Sequence, residues 1–242
     1  MATTFIIGTL SLAGLVFWAD FKSWQRFGNQ ASNALIGTGG TPPTLRGYLK
    51  IRRWGLYLLY NRQNLLSTTS IPTTGPTYLT PDLISPRPGL RPKLTRWTLP
   101  QRQHVEFITP QASAALSTLI QSFASTPPYS SYISTAPSKT EGGTGPAIYV
   151  NPDVDTINPA AHRIFYEIAH VHPNDNSLHV YVSPRDAKTV IEKGWGQRFP
   201  VSWLAPVSWI MVYAPRDEEE VGIVREIVRA GVCFAAGKEL SE

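Results

Sequence analysis

The stretch Glu167-Ile-Ala-His-Val-His-Pro-Asn-Asp-Asn-Ser-Leu-His-Val-Tyr-Val182 decides how the chain is read. Residues 163 to 172 and 178 to 182 are rich in β-branched and aromatic side chains. Pro173-Asn-Asp-Asn-Ser177 between them holds residues that favour turns, so the pattern predicts a β-hairpin. Three of the chain's five histidines, His170, His172 and His179, fall inside it. In an unbroken strand side chains alternate faces, so His170 and His172 share one face while Glu167 and Ala169 take the other. A tight hairpin brings His179 opposite the first two. Three imidazoles on one sheet face can serve as general bases and hydrogen-bond donors, or as a three-nitrogen metal site. Glu167 would need a bulge to join that face, and a fourth ligand is not obvious. The simpler expectation is a metal-free base cluster, against a bland reading in which the hairpin merely turns a polar side to solvent.

Regular patterns surround the hairpin. Residues 111 to 123 place Ala115, Leu116, Leu119, Ile120 and Phe123 at helical spacing, and Ala147 to Val150 reads as a short strand. Ser183-Pro184 opens a helix over 185 to 193 that Gly194 ends. Trp209 to Ala214 reads as a strand, and Asp217-Glu-Glu-Glu220 opens a last helix running to about Ala236. Helix, strand, hairpin, helix, strand and helix in that order predict an α+β fold, an antiparallel sheet with helices packed on one face.

The N-terminal half differs. Met1 to Ala19 carries no charge and is mostly apolar or small, which as a helix reaches roughly the ~30 Å thickness of a bilayer core. It lacks the basic start and small-residue cleavage site of a signal peptide, so a retained transmembrane helix is expected. Lys22, Arg26, Arg46, Lys50, Arg52 and Arg53 follow it, which places the body of the protein on the cytosolic side of a membrane. A buried N-terminal helix is the alternative. Residues 1 to 104 hold 12 Lys and Arg against 2 acids, so the net charge of +5 belongs to this half. Residues 45 to 60 form an amphipathic basic stretch suited to a membrane interface or to packing on the domain. From Ser67 to Pro100 the chain is rich in Pro, Thr and Gly and reads as an extended arm or linker, as does the loop from Ser125 to Pro146. The expected division is therefore an anchor over 1–20, a basic helix and Pro-rich arm over 21–104, and an α+β domain over 105–242.

Several classes are set aside. One cysteine, Cys233, permits no intrachain disulfide and no zinc-finger spacing. Glu141-Gly-Gly-Thr-Gly-Pro146 lacks the Lys-Ser/Thr ending of a phosphate loop, and no Gly-x-Ser-x-Gly marks a hydrolase. The basic residues form no nucleic-acid-binding motif. Two further clusters can carry chemistry. Around Trp195, Gly194 and Gly196 allow a sharp turn, with Gln197 and Arg198 as polar and cationic neighbours. That turn can offer a flat surface to an aromatic ligand, or Trp195 can simply fill the core. Tyr213 and Arg216 at a strand end can face a ligand, or Arg216 can pair with the acids that follow.

Glu-Ile-Ala-His-Val-His (167–172), Ser-Leu-His (177–179), Asp-Ala-Lys (186–188), Lys-Gly-Trp-Gly-Gln-Arg (193–198) and Tyr-Ala-Pro-Arg-Asp-Glu-Glu-Glu (213–220) form an ordered motif series that resembles the fungal luciferase family. The likeness reaches upstream through Arg46-Gly-Tyr48, Arg91-Pro92 and Gln101-Arg-Gln103. It implies an oxygenase that adds molecular oxygen, as co-substrate and without an organic cofactor, to a small hydroxypyrone of the 3-hydroxyhispidin type. In that chemistry a base takes the enol proton and the enolate reacts with oxygen. The resemblance implies His170, His172 and His179 as base and enolate-orienting groups and Arg198 as charge stabiliser. Glu167, Trp195, Gln197, Phe199 and Tyr213 would contact the substrate. Where the luminous enzymes carry Gly-Gln-Arg-His-Pro, this chain has Gly196-Gln-Arg-Phe199-Pro200, so a family histidine is replaced by a side chain that cannot transfer protons. That implies a homologue with little or no light emission. The competing readings are a divalent-metal enzyme built on His170, His172 and His179, and a catalytically silent small-molecule-binding homologue.

Overall fold

The computed structural model describes residues 2–30, 41–143, 145–155 and 158–240, with side chains in the N-terminal helix over 11–26. Strands β1 (Ile133–Pro137), β2 (Pro146–Val150), β3 (Glu167–Val171), β4 (Leu178–Tyr181), β5 (Gly196–Arg198) and β6 (Trp209–Val212) form one antiparallel sheet in the order β1-β2-β3-β4-β6-β5. Helices α3 (Pro110–Ser125) and α5 (Glu218–Ala236) pack on each other and on β2 and β3, while α4 (Pro184–Glu192) lies against β5 and β6. The α+β architecture is the expected one.

Local chemistry sets the helix limits. The Thr109, Ser183 and Asp217 side chains accept from the backbone N–H three residues on, which starts α3, α4 and α5 in turn. Gly237, at φ 71°, ends α5 in the left-handed conformation that glycine adopts without strain. Between the helices and the sheet, Leu116, Ile120 and Phe123 of α3 and Val224, Ile227 and Val228 of α5 meet Ile148, Ile168, Val180 and Ile210.

Two strands come from segments that sequence pattern assigns to loops. β1 emerges from the Pro- and Gly-rich stretch before Pro146, and β5 from the Gly-Trp-Gly turn. Conversely, the hairpin's first strand is shorter than its composition suggests. Asn158 accepts from Ala160 N and starts a 3₁₀ turn over Pro159–Ile164, and the chain reverses through left-handed Phe165 and Tyr166 before β3 begins. Thr144 of the glycine run lies outside the described residues.

The membrane anchor is corrected. Among the described residues, no helix is long and apolar enough to cross a membrane. Helix α1 (Ala2–Gln30) runs on through Asp20, Lys22 and Arg26. Phe21 and Trp24 are buried against Tyr48 and Ile51 of α2 (Leu45–Tyr60), and Asp20 pairs with Arg52 and Arg96. The membrane partner and the membrane-anchored, cytosol-facing placement fall with the span. Met1 and the side chains of residues 2–10 lie outside the described residues.

The Pro-rich arm is pinned to the domain. Ile71, Leu79 and Ile84 enter the main core. Buried Asp186 in the first turn of α4 accepts from the Thr77 hydroxyl, Tyr78 N (3.0 Å) and Leu79 N (3.3 Å). Farther on, Leu94 pairs with Gln103, so the chain doubles back and buries Gln101, Arg102 and Gln103.

Gly231 shows how closely α5 approaches the sheet. A Cβ there would lie 2.7 Å from Tyr181 O and 3.1 Å from Val180 Cγ1, whereas a Cβ at Gly222 on the same helix would meet nothing within 4 Å. Alanine is ~1 kcal/mol better than glycine inside a helix. We expect Gly222→Ala to gain ~0.5–1 kcal/mol of stability, and Gly231→Ala to lose ~1–3 kcal/mol through overpacking. Urea unfolding of the two variants checks both signs.

Candidate functional site

The sheet face away from α3 and α5 carries the histidines. His170 pairs directly with His179 across β3 and β4, and His172 follows just beyond β3 with its N–H on Ser177 O. On the other side of β3 the register is broken: Ala147 faces His170 and Ile148 faces Ala169, but Tyr149 faces Glu167. Ile168 is therefore the extra residue of a β-bulge. It turns into the helix-side core next to Gly231, together with Ala169, and Glu167 returns to the face of His170. The alternation expected for an unbroken strand is corrected by that one residue.

Each imidazole is oriented from behind. His170 Nδ1 lies 2.5 Å from Glu167 Oε1. Glu167 is itself held by Ser138 Oγ (2.9 Å), Thr140 Oγ1 (2.7 Å), Thr140 N (3.2 Å) and Tyr149 OH (2.8 Å). His172 Nδ1 lies 2.7 Å from Ser177 Oγ, whose own proton goes to Asp175 (2.8 Å). His179 Nε2 lies 3.1 Å from Gln101 Oε1, and Gln101 Nε2 donates to Arg198 O. The opposite nitrogens converge: His170 Nε2 to His172 Nε2 is 3.0 Å, His172 Nε2 to His179 Nδ1 3.1 Å, and His179 Nδ1 to His170 Nε2 3.4 Å. Glu141 brings Oε1 within 3.5 Å of His170 Nε2 and pairs through Oε2 with Arg102. One atom from each of Glu141, His170, His172 and His179 lies within 4.8 Å of the others, a grouping able to hold a metal ion.

All of these groups are buried, so their charges act on one another strongly. Burial alone would push the His170 imidazolium down, but Glu167 and Glu141 outweigh it and raise its pKa to about 9. Burial, then Arg102, lowers His172 to about 4. Burial and the two neighbouring histidines drive His179 well below the usual range. Burial opposes ionisation of Glu141, yet Arg102 and the histidines hold it well below the ordinary carboxylate value. Protonated His170 between two carboxylates and neutral His172 and His179 is the state these charges favour.

A cavity of about 310 Å³ opens beside the cluster. His179 and Glu141 reach it, Phe199, Phe165 and Trp209 give it aromatic lining, and Lys139 and Arg163 add positive charge. Trp209 lies parallel to His179 with ring centres 5.5 Å apart, and Phe199 meets His179 edge-on at 5.6 Å.

The residues singled out in the sequence thus divide. His170, His172, His179 and Glu167 come together, with Phe199 on the cavity wall. Arg198 turns its guanidinium to Ser70 Oγ and Asn64 O and meets the site only through its carbonyl. Trp195 is buried in the helix-side core and donates to Ser85 O, while Tyr213 donates to Gln197 two strands from His179. Arg216 pairs with Glu220. The sequence reading assigned no role to Gln101, Arg102, Glu141, Asp175 or Ser177. A signal existed for Gln101, Arg102 and Ser177, since Gln101-Arg-Gln103 and Ser-Leu-His (177–179) belong to the motif series.

Residues 166–231 match the family model described as the luciferase domain. The luciferase of Armillaria mellea is 37% identical over 111 residues, 39% of this chain and 42% of that protein. The luciferase of Neonothopanus nambi is 38% identical over 100 residues, 36% of this chain and 38% of that protein. The matched region thus spans about two-fifths of these relatives' length. No solved structure matches the chain.

Removing Glu167 leaves the donors of Ser138, Thr140 and His170 without that acceptor, whereas the Tyr149 hydroxyl still reaches Pro137 O at 2.9 Å. Glu167→Ala is expected to cost ~3–5 kcal/mol, and Tyr149→Phe, which removes one bond to Glu167, ~1–2 kcal/mol. Denaturant unfolding measures both, and equal losses would show that Glu167 does not organise the cluster.

Proposed function

We propose that the chain, whose residues 166–231 match the luciferase domain model, is an oxygenase of the fungal luciferase type, which adds molecular oxygen to a hydroxypyrone or a related enolisable polyketide. The observation that carries this reading is the aromatic-lined cavity ending on His179 and Glu141. Its volume is at the lower end of the ~300–1,000 Å³ usual for small-molecule sites. A planar substrate lies along Phe199 and Trp209 with its enol toward the histidine cluster, and Lys139 and Arg163 favour the anionic form. The cluster takes up the enol proton and holds the enolate oxygen. The enolate carbon then supplies the electron pair that bonds to oxygen, both oxygen atoms stay with the substrate, and no separate reductant is consumed.

Phe199 supplies shape to the wall but no proton transfer. At 5.6 Å from the His179 ring, a histidine in its place would extend the proton-accepting cluster along the cavity, as in the luminous sequences.

Oxygen uptake and photon counting with 3-hydroxyhispidin test the reading. Wild type should consume oxygen with little light, His179→Ala should slow uptake ~10²–10⁴-fold, and Phe199→His should raise the photon yield per oxygen consumed. If neither wild type nor Phe199→His takes up oxygen, the oxygenase reading fails. Binding of the pyrone without uptake would identify a catalytically silent homologue.

A further inference from the structure

We infer that His170 Nε2, His172 Nε2, His179 Nδ1 and Glu141 Oε1 form a binding site for one divalent first-row transition-metal ion. The partners of each ring fix where its proton sits. Glu167 only accepts, so the His170 proton facing it sits on Nδ1. The Ser177 hydroxyl spends its proton on Asp175, so it accepts from His172 Nδ1–H. Gln101 is fixed by its Nε2 bond to Arg198 O, which leaves its carbonyl oxygen to accept from His179 Nε2–H. In the neutral rings all three remaining nitrogens then carry lone pairs, and all three point at one another across 3.0, 3.1 and 3.4 Å.

Three lone pairs gathered at that distance repel unless something positive lies among them. Without a metal, a proton on His170 Nε2 and the Arg102 guanidinium, 3.1 Å from His172 Nε2, fill that role, and a metal ion can take the proton's place. The spacing suits an ion. Nitrogens bound ~2.1 Å from one metal stand ~3.0 Å apart at right angles and ~3.4 Å apart at tetrahedral angles. Each ring is braced through its far nitrogen by a carboxylate, a carboxylate-bound hydroxyl or an amide carbonyl, the outer arrangement by which metal-binding histidines are held. Glu141 completes the set, with Oε2 on Arg102 and Oε1 toward the histidines.

Charge leads to the same place. Glu141, Glu167 and Asp175 are buried carboxylates, and Arg102 is the buried cation that offsets one of them. A divalent ion cancels the remaining two negative charges with all three imidazoles neutral. Arg102 Nη1 lies 3.1 Å from His172 Nε2, and on metal binding it keeps its bonds to Gln101 O (2.9 Å) and Glu141. Three imidazoles with one carboxylate suit iron, cobalt, nickel, copper or zinc rather than calcium or magnesium. The site reaches the cavity through His179 and Glu141, so a bound ion would stand beside any molecule held there.

Cobalt(II) added to untagged full-length chain, stripped with a chelator and dialysed, is the test. Wild type should bind one ion per chain, develop the visible d–d absorption of a histidine-ligated ion, and unfold at a higher temperature with cobalt present. His172→Asn should lose the absorption and the thermal shift. Glu167→Gln, which alters only the group orienting His170, should keep the stoichiometry but bind ~10–100-fold more weakly. His104→Asn/His162→Asn, which removes the two histidines outside the cluster, should bind as wild type does. Circular dichroism confirms that each variant is folded. No stoichiometric cobalt on folded wild type overturns the inference, as does undiminished binding by a folded His172→Asn. The inference does not rest on the oxygenase reading: cobalt binding without oxygen uptake sinks only that reading, and oxygen uptake without cobalt binding sinks only this one.

Discussion

The bond between Glu167 and His170 requires two residues three apart in a strand to share one face, which regular pleating forbids. The bulge at Ile168 removes that obstacle. The inserted residue is not wasted: Ile168 joins Ala169 in the helix-side core, against a helix that Gly231 allows to come close. Site geometry and core packing therefore have a common origin. A larger residue at 231 would push α5 away, loosen Ile168, and through the register move Glu167 relative to His170.

The second support comes from far along the chain. Gln101, Arg102 and Gln103 are consecutive, all buried, and each ties a different part of the site. Gln101 orients His179, Arg102 holds Glu141, and Gln103 donates its backbone N–H to Asp175 while its side-chain Oε1 accepts from Ala214 N. Together they link β4, the 138–143 loop, the hairpin turn and the end of β6. The arm that carries them is fixed by Asp186 at one point and by its own fold-back at another. A segment without periodicity thus supplies polar partners to His179, Glu141 and Asp175, which a cluster of strand residues needs when it is buried.

This explains what could be read in the sequence. Helices α3, α4 and α5 were legible because their caps and apolar spacing are local, and the hairpin because its turn residues are. The grouping of His170, His172 and His179 followed from pleat and turn alone. Glu167 was misplaced because a bulge shows only in the pairing of two strands. Glu141 and Arg102 come from segments whose structure is set by what they touch, so their composition carries no period. Trp195 reads as a ligand platform by its glycine neighbours, yet the same glycines let β5 lie close to β6, where a Cβ at Gly196 would stand 2.3 Å from Met211 O. The N-terminal run reads as a span by its length and lack of charge, yet α1 continues through Asp20, Lys22 and Arg26 and buries Phe21 and Trp24 against Tyr48 and Ile51.

Glu141 and Glu167 both stand beside His170, yet they are not equivalent. Glu167 is saturated by donors from Ser138, Thr140, Tyr149 and His170, so it can fix a ring and do little else. Glu141 accepts from Arg102 on both oxygens and brings Oε1 toward the histidines at the cavity. Gly142 and Gly143, at φ 68° and 91°, let its loop turn back at once, and Gly143 N closes the turn on Ser138 O. Ser138 is the shared element: its hydroxyl donates to Glu167 and accepts from Glu141 N. The carboxylate that orients His170 and the carboxylate that faces the cavity are therefore held by one side chain, so neither can shift without disturbing the other.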